Sequence, residues 1–192
     1  MAATADRLLV ERPGLEPAVL ELLEGDITRV RVDVIVNAAN SALAGGGGVD
    51  GAIHRAAGPQ LMRELQALGR GCPTGSAVLT GSGDLAARGI RHVVHAVGPA
   101  WRGGTQGEPE LLASAYRTAF GLAENARARS VAFPAISAGV YGAPMGGSAS
   151  IGLEVVRDGL ARGKSIERAI FVLYSGAAYA AFALALQALR KA

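Results

Sequence analysis

Four consecutive glycines, Gly45 to Gly48, stand between a β-branched run, Val32-Asp33-Val34-Ile35-Val36, and a stretch of helical character, Val49–Ala57. Such a chain leaves a buried strand, crosses a loop whose backbone is free to take positive φ, and enters a helix. The pattern recurs. Ser130–Phe133 reads as a strand leading into a second glycine-rich loop, Ser137 to Gly147, with a helix from about Ser148 to Arg162. Further strands are expected at Val19–Leu23, Ser76–Thr80, Ile90–Ala96 and Arg168–Tyr174. Further helices are expected at Pro59–Leu68, Glu108–Arg127 and from Ala177 onward. Strands alternating with helices give a three-layer α/β/α domain with a central mixed, mostly parallel sheet. No linker or internal repeat interrupts the 192 residues, so one domain is expected, with about 1–17 as a loosely ordered N-terminal extension.

Charge and cysteine usage exclude several classes of function. The formal net charge is +3 and the arginines are scattered, with no basic run and no basic stripe alternating with aromatics. A nucleic-acid-binding tract is therefore not indicated, although a mildly positive surface favours an anionic ligand. The single cysteine, Cys72, cannot form an internal disulfide, which points to a reducing, cytoplasmic setting. It lies in Gly71-Cys72-Pro73 without a Cys or His motif and reads as a plain thiol. Met1 to Glu11 lacks the features of a secretory leader, and Ala177–Leu189 is too short and alanine-rich to span a bilayer. No membrane association is expected, and a monomer is.

In open α/β sheets ligands collect beyond the carboxyl ends of the strands. Four segments fall there: Gly25-Asp26-Ile27, Asn37–Asp50, Ser137–Pro144 and Tyr174. A glycine-rich loop that enters a helix can point backbone N–H groups at phosphate oxygens, and two such loops suit a diphosphate. Neither loop has the GxGxxG pattern of classical dinucleotide binding or the GxxxxGK[ST] of a P-loop. His92 and His95 lie three apart on an expected strand and so face opposite sides. His54, on the helix after Asp50, reads as a satisfied surface or core histidine. No Ser-His-acid triad, CxxC pair or metal-ligand spacing is recognisable, so neither metal nor cofactor is expected.

Three ordered runs carry a resemblance to a known family. They are Gly25-Asp26-Ile27-Thr28, Val32 through Asn37-Ala38-Ala39-Asn40, and Gly45-Gly46-Gly47-Gly48-Val49-Asp50-Gly51-Ala52-Ile53-His54. With Ile136-Ser137-Ala138-Gly139-Val140-Tyr141-Gly142-Ala143-Pro144 and Val93–Pro99, the chain resembles the macrodomains, and among them the MacroD-type hydrolases. The resemblance spans roughly Leu20 to Leu189.

It implies binding of ADP-ribose and hydrolysis of O-acetyl-ADP-ribose and of mono-ADP-ribose esters on Asp and Glu side chains. Asp26 would accept a hydrogen bond from the adenine amino group, the Ile27 backbone would meet the ring, and Tyr174 would stack on it. Relatives commonly carry an acid after that aromatic, where this chain has Ser175. Ser137, Ala138, Gly139, Val140 and Tyr141 would wrap the diphosphate through backbone N–H groups, and Tyr141 would cover the distal ribose. Many relatives have Thr in place of Ala138, a change of small expected effect. Gly48, Val49, Asn40 and Asp50 would border the distal ribose. Asn40 would fix its hydroxyls, and Asp50 would orient or deprotonate a water. A helix dipole alone also accounts for an acid in the first turn, as at Asp50, and an N-cap role for Asp26. A reader without turnover and an ADP-ribose-1″-phosphate phosphatase are the competing readings. ADP-ribosylated nucleic-acid ends are a further candidate substrate.

Overall fold

The computed structural model describes residues 6–191. The chain begins as an antiparallel hairpin, β1 (Arg7–Arg12) and β2 (Leu15–Glu24), and a 3₁₀ turn at Ile27–Arg29 leads to β3 (Val34–Ala38). Helices α1 (Gly48–Ala57) and α2 (Pro59–Ala67) precede β4 (Ala77–Gly81), a 3₁₀ turn Gly83–Arg88 and β5 (His92–Ala96). Then come α3 (Glu108–Asn125), β6 (Ser130–Phe133), α4 (Met145–Arg162), β7 (Arg168–Leu173) and α5 (Gly176–Leu189). The seven strands form one sheet in the order β1-β2-β7-β6-β3-β5-β4. The inner strands β2, β7, β6, β3 and β5 run parallel, and β1 and β4 close the edges antiparallel.

Side-chain alternation on the strands divides the core between two faces. Val34 and Val36 of β3, with Ala169, Phe171 and Leu173 of β7, face Tyr116 of α3, Leu153 of α4 and Phe182 of α5. Ile35, Ile170 and Val172 point the other way, against Ile53 and Ala57 of α1 and Leu61 of α2. This is the expected three-layer α/β/α arrangement around a mixed, mostly parallel sheet.

Residues 7–17 correct the expectation of a loosely ordered extension; residues 1–5 lie outside the described ones. Leu8 pairs with Leu20 and Val10 with Ala18, and Gly14 turns the hairpin at φ 76°. Arg12 is buried and gives hydrogen bonds to the carbonyls of Glu16 (2.7 Å) and Ile166 (3.1 Å). Leu8, Val10 and Arg12 face inward while Leu9 is exposed, so the sequence shows no clean apolar alternation here. The helix expected from Ser148 begins earlier, at Met145, so the second glycine-rich loop ends at Pro144. Among the described residues no helix is long and apolar enough to cross a membrane.

Candidate ligand-binding and catalytic site

Strand order fixes how the candidate segments line up. Across the carboxyl edge stand Gly25-Asp26 after β2, Tyr174 after β7, the loop from Ser137 after β6, and the loop from Ala39 after β3. Strands lie roughly 4.8 Å apart, so these segments span about 14 Å in one row. Backbone bonds tie the row together, from Gly25 N–H to the Leu173 carbonyl (2.8 Å) and from Ala39 N–H to that of Ala96 (2.9 Å).

The first loop is shaped by its own polar groups. Asn40 donates to the Gly45 carbonyl (2.8 Å) and accepts from the Ala44 N–H (3.2 Å), and Leu43 donates to the Asn40 carbonyl (3.0 Å). Asn40 therefore folds the loop, with one amide N–H and one carbonyl lone pair left over. A Cβ on Gly51 would lie 2.6 Å from the Gly46 carbonyl oxygen, so glycine there lets the start of α1 press against the loop. The N–H groups of Gly46 to Val49 have no acceptor among the described residues. They open α1, whose dipole favours an anion at this end.

Asp50, in the first turn of α1, is buried. Its Oδ1 accepts a 2.6 Å bond from the Asn37 amide and lies 3.3 Å from His54 Nε2. Asn37 Nδ2 also meets His95 Nδ1 at 3.1 Å, and His95 Nε2 meets Thr80 Oγ1 at 3.0 Å. Burial, aided by His54, lowers the His95 pKa to about 3, so the ring is neutral and joins the chain as donor and acceptor. The Asp50 Oδ2 and the Asn37 Oδ1 are buried without a hydrogen-bond partner. Oδ2 faces the glycine loop, 3.2 Å from where a Cβ on Gly46 would stand, and Asn40 Nδ2 is 3.9 Å from the same point. Asn40 and Asp50 are thus brought together at Gly46.

The second loop turns at Ser137, a non-glycine residue at φ 63° with its Oγ buried and unpartnered. Ala143 donates to the Ser137 carbonyl (3.0 Å) and Gly142 to that of Gly139 (2.9 Å), which leaves the Gly139, Val140 and Tyr141 N–H groups outside these bonds. The Ala138 N–H is directed to the Ala135 carbonyl (3.4 Å), so the wrapping role expected of it is reduced. Val140 is fully exposed at the apex. Beneath the loop, the buried Tyr116 hydroxyl accepts from Ile136 N–H (2.9 Å), and burial raises its pKa. Trp101 N–H holds the Tyr141 carbonyl at 2.7 Å.

At the far end of the row, Asp26 Oδ1 accepts from the Thr28 N–H (2.9 Å) and hydroxyl (2.8 Å), capping the 3₁₀ turn, while Oδ2 lies 3.6 Å from Arg29 Nε. The Ile27 side chain is buried, and Tyr174 is 88% exposed, an open face for a planar ligand. Ser175 caps α5 by accepting from Ala178 N–H (3.3 Å). Cys72 is buried and its thiol pKa is raised by burial, in keeping with a plain thiol.

Three site residues escaped the sequence reading: Asn37, His95 and Thr80. Parity could have found two of them, since Asn37 shares a face with Ile35, and His95 shares that face with Val93. His54, expected as a bland histidine, touches the central carboxylate.

Fold and site together define a three-layer α/β protein whose carboxyl sheet edge holds two glycine loops beside a buried, half-satisfied carboxylate. The Macro domain family model matches residues 36–152, and the chain belongs to that family. It is 52% identical over 158 residues to an O-acetyl-ADP-ribose deacetylase of Cronobacter sakazakii, covering 81% of this chain and 86% of that one. The Oceanobacillus iheyensis macrodomain with ADP superposes with a TM-score of 0.89 at 36% identity, over 98% of this chain and 97% of that one. The Trypanosoma brucei macrodomain in complex with ADP-ribose does so at 0.77 and 38%, over 86% and 68%.

Proposed function

We propose that this chain binds ADP-ribose along the carboxyl edge of its sheet. As a MacroD-type enzyme, it hydrolyses O-acetyl-ADP-ribose and mono-ADP-ribose esters on Asp and Glu side chains. The observation that carries the reading is Asp50, buried with one oxygen bonded to Asn37 and the other unpartnered beside the glycine loop. Leaving a charged acceptor unmatched is costly, and such groups persist where a ligand or water completes them. Asp26 takes the adenine amino group, the Ile27 backbone meets the ring, and Tyr174 stacks on it. The free N–H groups at Gly139 to Tyr141 and at Gly48 and Val49 hold the diphosphate, with Ser137 and Ala138 shaping the turn. Asn40 fixes the distal ribose, and Tyr141 covers it. This order along the edge follows the order of groups in ADP-ribose.

In the reaction, a water bonded to Asp50 Oδ2 gives up a proton as its oxygen attacks the acyl carbonyl. The bond from the acyl carbon to the ribose oxygen breaks, and that oxygen takes the proton, leaving ADP-ribose and the free acid. Attack by the same water at the anomeric carbon would instead expel the carboxylate. Either route needs a carboxylate held in one orientation, which the Asn37 bond supplies.

Product release from O-acetyl-ADP-ribose, an Asp/Glu-ADP-ribosylated protein and ADP-ribose-1″-phosphate tests the assignment. Turnover of the esters is expected. Intact ADP-ribose binding without ester turnover would leave a reader, and turnover of the phosphate alone a phosphatase. Asp26→Ala should weaken ADP-ribose binding in calorimetry by about 1.5–3 kcal/mol, the loss of one charge-assisted hydrogen bond. Unaltered affinity would remove Asp26 from the adenine site.

A further inference from the structure

The opposite, amino-terminal edge of the sheet gathers arginines that the sequence scatters. Asp33 precedes β3, Arg91 precedes β5, Arg129 precedes β6 and Glu167 precedes β7. Asp33 joins them, pairing with Arg91 Nε at 3.5 Å and accepting from the Arg129 N–H at 2.6 Å, while Arg91 reaches the Arg127 carbonyl at 3.2 Å. Arg29, Arg31 and Arg88, with Asp33 and Ser130, border a concavity of about 670 Å³. Arg29 and Arg31 also border a neighbouring one of about 320 Å³, with Asp26 and Arg168.

Four of the arginines here are matched: Arg29 with Asp26, Arg91 with Asp33, Arg129 with Glu167, and Arg168 with Glu21. Arg31, Arg88 and Arg127 have no carboxylate within 4.0 Å among the described residues, and all three are exposed. Arg88 spends one N–H on the Thr28 carbonyl (2.7 Å).

We propose that this edge binds the phosphodiester backbone of a nucleic-acid strand without regard to base sequence. A guanidinium fork matches the two unesterified oxygens of a phosphate, and separated forks suit a chain carrying one charge per nucleotide. The linings of both concavities contain no aromatic side chain on which a base could stack, so recognition rests on the backbone. The smaller concavity reaches Asp26 at the adenine end, so the strand is placed on the larger one, bordered by Arg31 and Arg88, which contains no residue assigned to ADP-ribose and lies the length of β3, roughly 15 Å, from the glycine loops.

The test is fluorescence anisotropy of a labelled single-stranded DNA oligonucleotide titrated with the full chain across a salt series. Binding should weaken with salt at a logarithmic slope of about −2, as expected for three phosphates on a single strand. The double variant Arg31→Glu/Arg127→Glu removes side chains that make no hydrogen bond or ion pair among the described residues, so its melt by circular dichroism should be unchanged. It should bind the oligonucleotide roughly tenfold more weakly or worse, with a flatter slope. Salt-independent or absent binding, or equal binding by the variant, would overturn the proposal. Displacement by free ADP-ribose would put the strand in the cleft, and equal displacement by polyglutamate would make this a site for acidic peptides; either result also overturns it. Hydrolysis is not read in this assay, so its failure and that of the proposed enzymatic activity are separable.

Discussion

Burying one oxygen of a carboxylate without a partner costs on the order of 1–3 kcal/mol, and the Asp50 Oδ2 sits in that condition while its Oδ1 is bonded at 2.6 Å. Under the proposed mechanism this asymmetry separates two duties, one oxygen fixing the orientation of the group and the other left for the reacting water. Asn37 would then be a positioning residue, held by the neutral His95, which Thr80 holds in turn. Asn37→Leu should therefore lower kcat by about a hundredfold, the scale of a misplaced reacting group, with ADP-ribose affinity nearly kept. A matched loss of affinity and turnover would instead mean that Asn37 only supports the fold. Parity along each strand places Asn37 and His95 on one sheet face, but that the two touch depends on β3 and β5 being neighbours, which residue spacing along one chain does not report. Asp50 and Asn40 were legible through the resemblance, yet their meeting at Gly46 is a matter of loop geometry.

The elements that carry the site were largely legible, and the two that were not show why. β3 and α1 stand close to where a β-branched run and a glycine-led helix place them, since local periodicity suffices when one face is buried. β1 was hidden because an apolar residue, Leu9, faces out and a charged one, Arg12, faces in, so no clean alternation marks it without its partner. The start of α4 was misplaced because Gly146 and Gly147 look like loop yet fall in its first turn. Support between elements also governs the second glycine loop. Gly98, just after β5, lies so near Ser137 that an added Cβ would overlap its Oγ and crowd the Ile136 Cγ2 at 2.5 Å. Gly98→Ala should thus destabilise by about 1–3 kcal/mol, seen as a lower urea midpoint, and weaken ADP-ribose binding as the loop shifts. A variant with unchanged midpoint and affinity would show that the loop yields freely.

For the whole molecule, burial of the polar chain beneath the cleft links stability to pH. The His95 pKa falls from an ordinary 6.5 to about 3, first through burial and then through His54. Above pH 6.5 neither the folded nor the unfolded chain protonates this ring, and its contribution is complete. As pH falls below that value the unfolded state binds a proton that the folded state refuses, and stability declines steadily towards pH 3. His95→Gln should remove that component, so the gap in urea midpoint between wild type and variant should narrow from pH 7 to about pH 4.5. A gap that stays constant would contradict a neutral, proton-refusing His95. The same fold sets two charged regions on opposite sheet edges, the glycine loops with Asp50 at one and the arginines at the other.

Whether Asp50 drives ester hydrolysis at the distal ribose is decided by release of ADP-ribose from an Asp/Glu-ADP-ribosylated protein, measured for wild type and Asp50→Ala. Release by the wild type and a fall of about a hundredfold to ten-thousandfold in the variant are expected, with calorimetry giving similar ADP-ribose affinity for both. Equal rates in the two proteins, or none in the wild type despite tight ADP-ribose binding, would contradict that role.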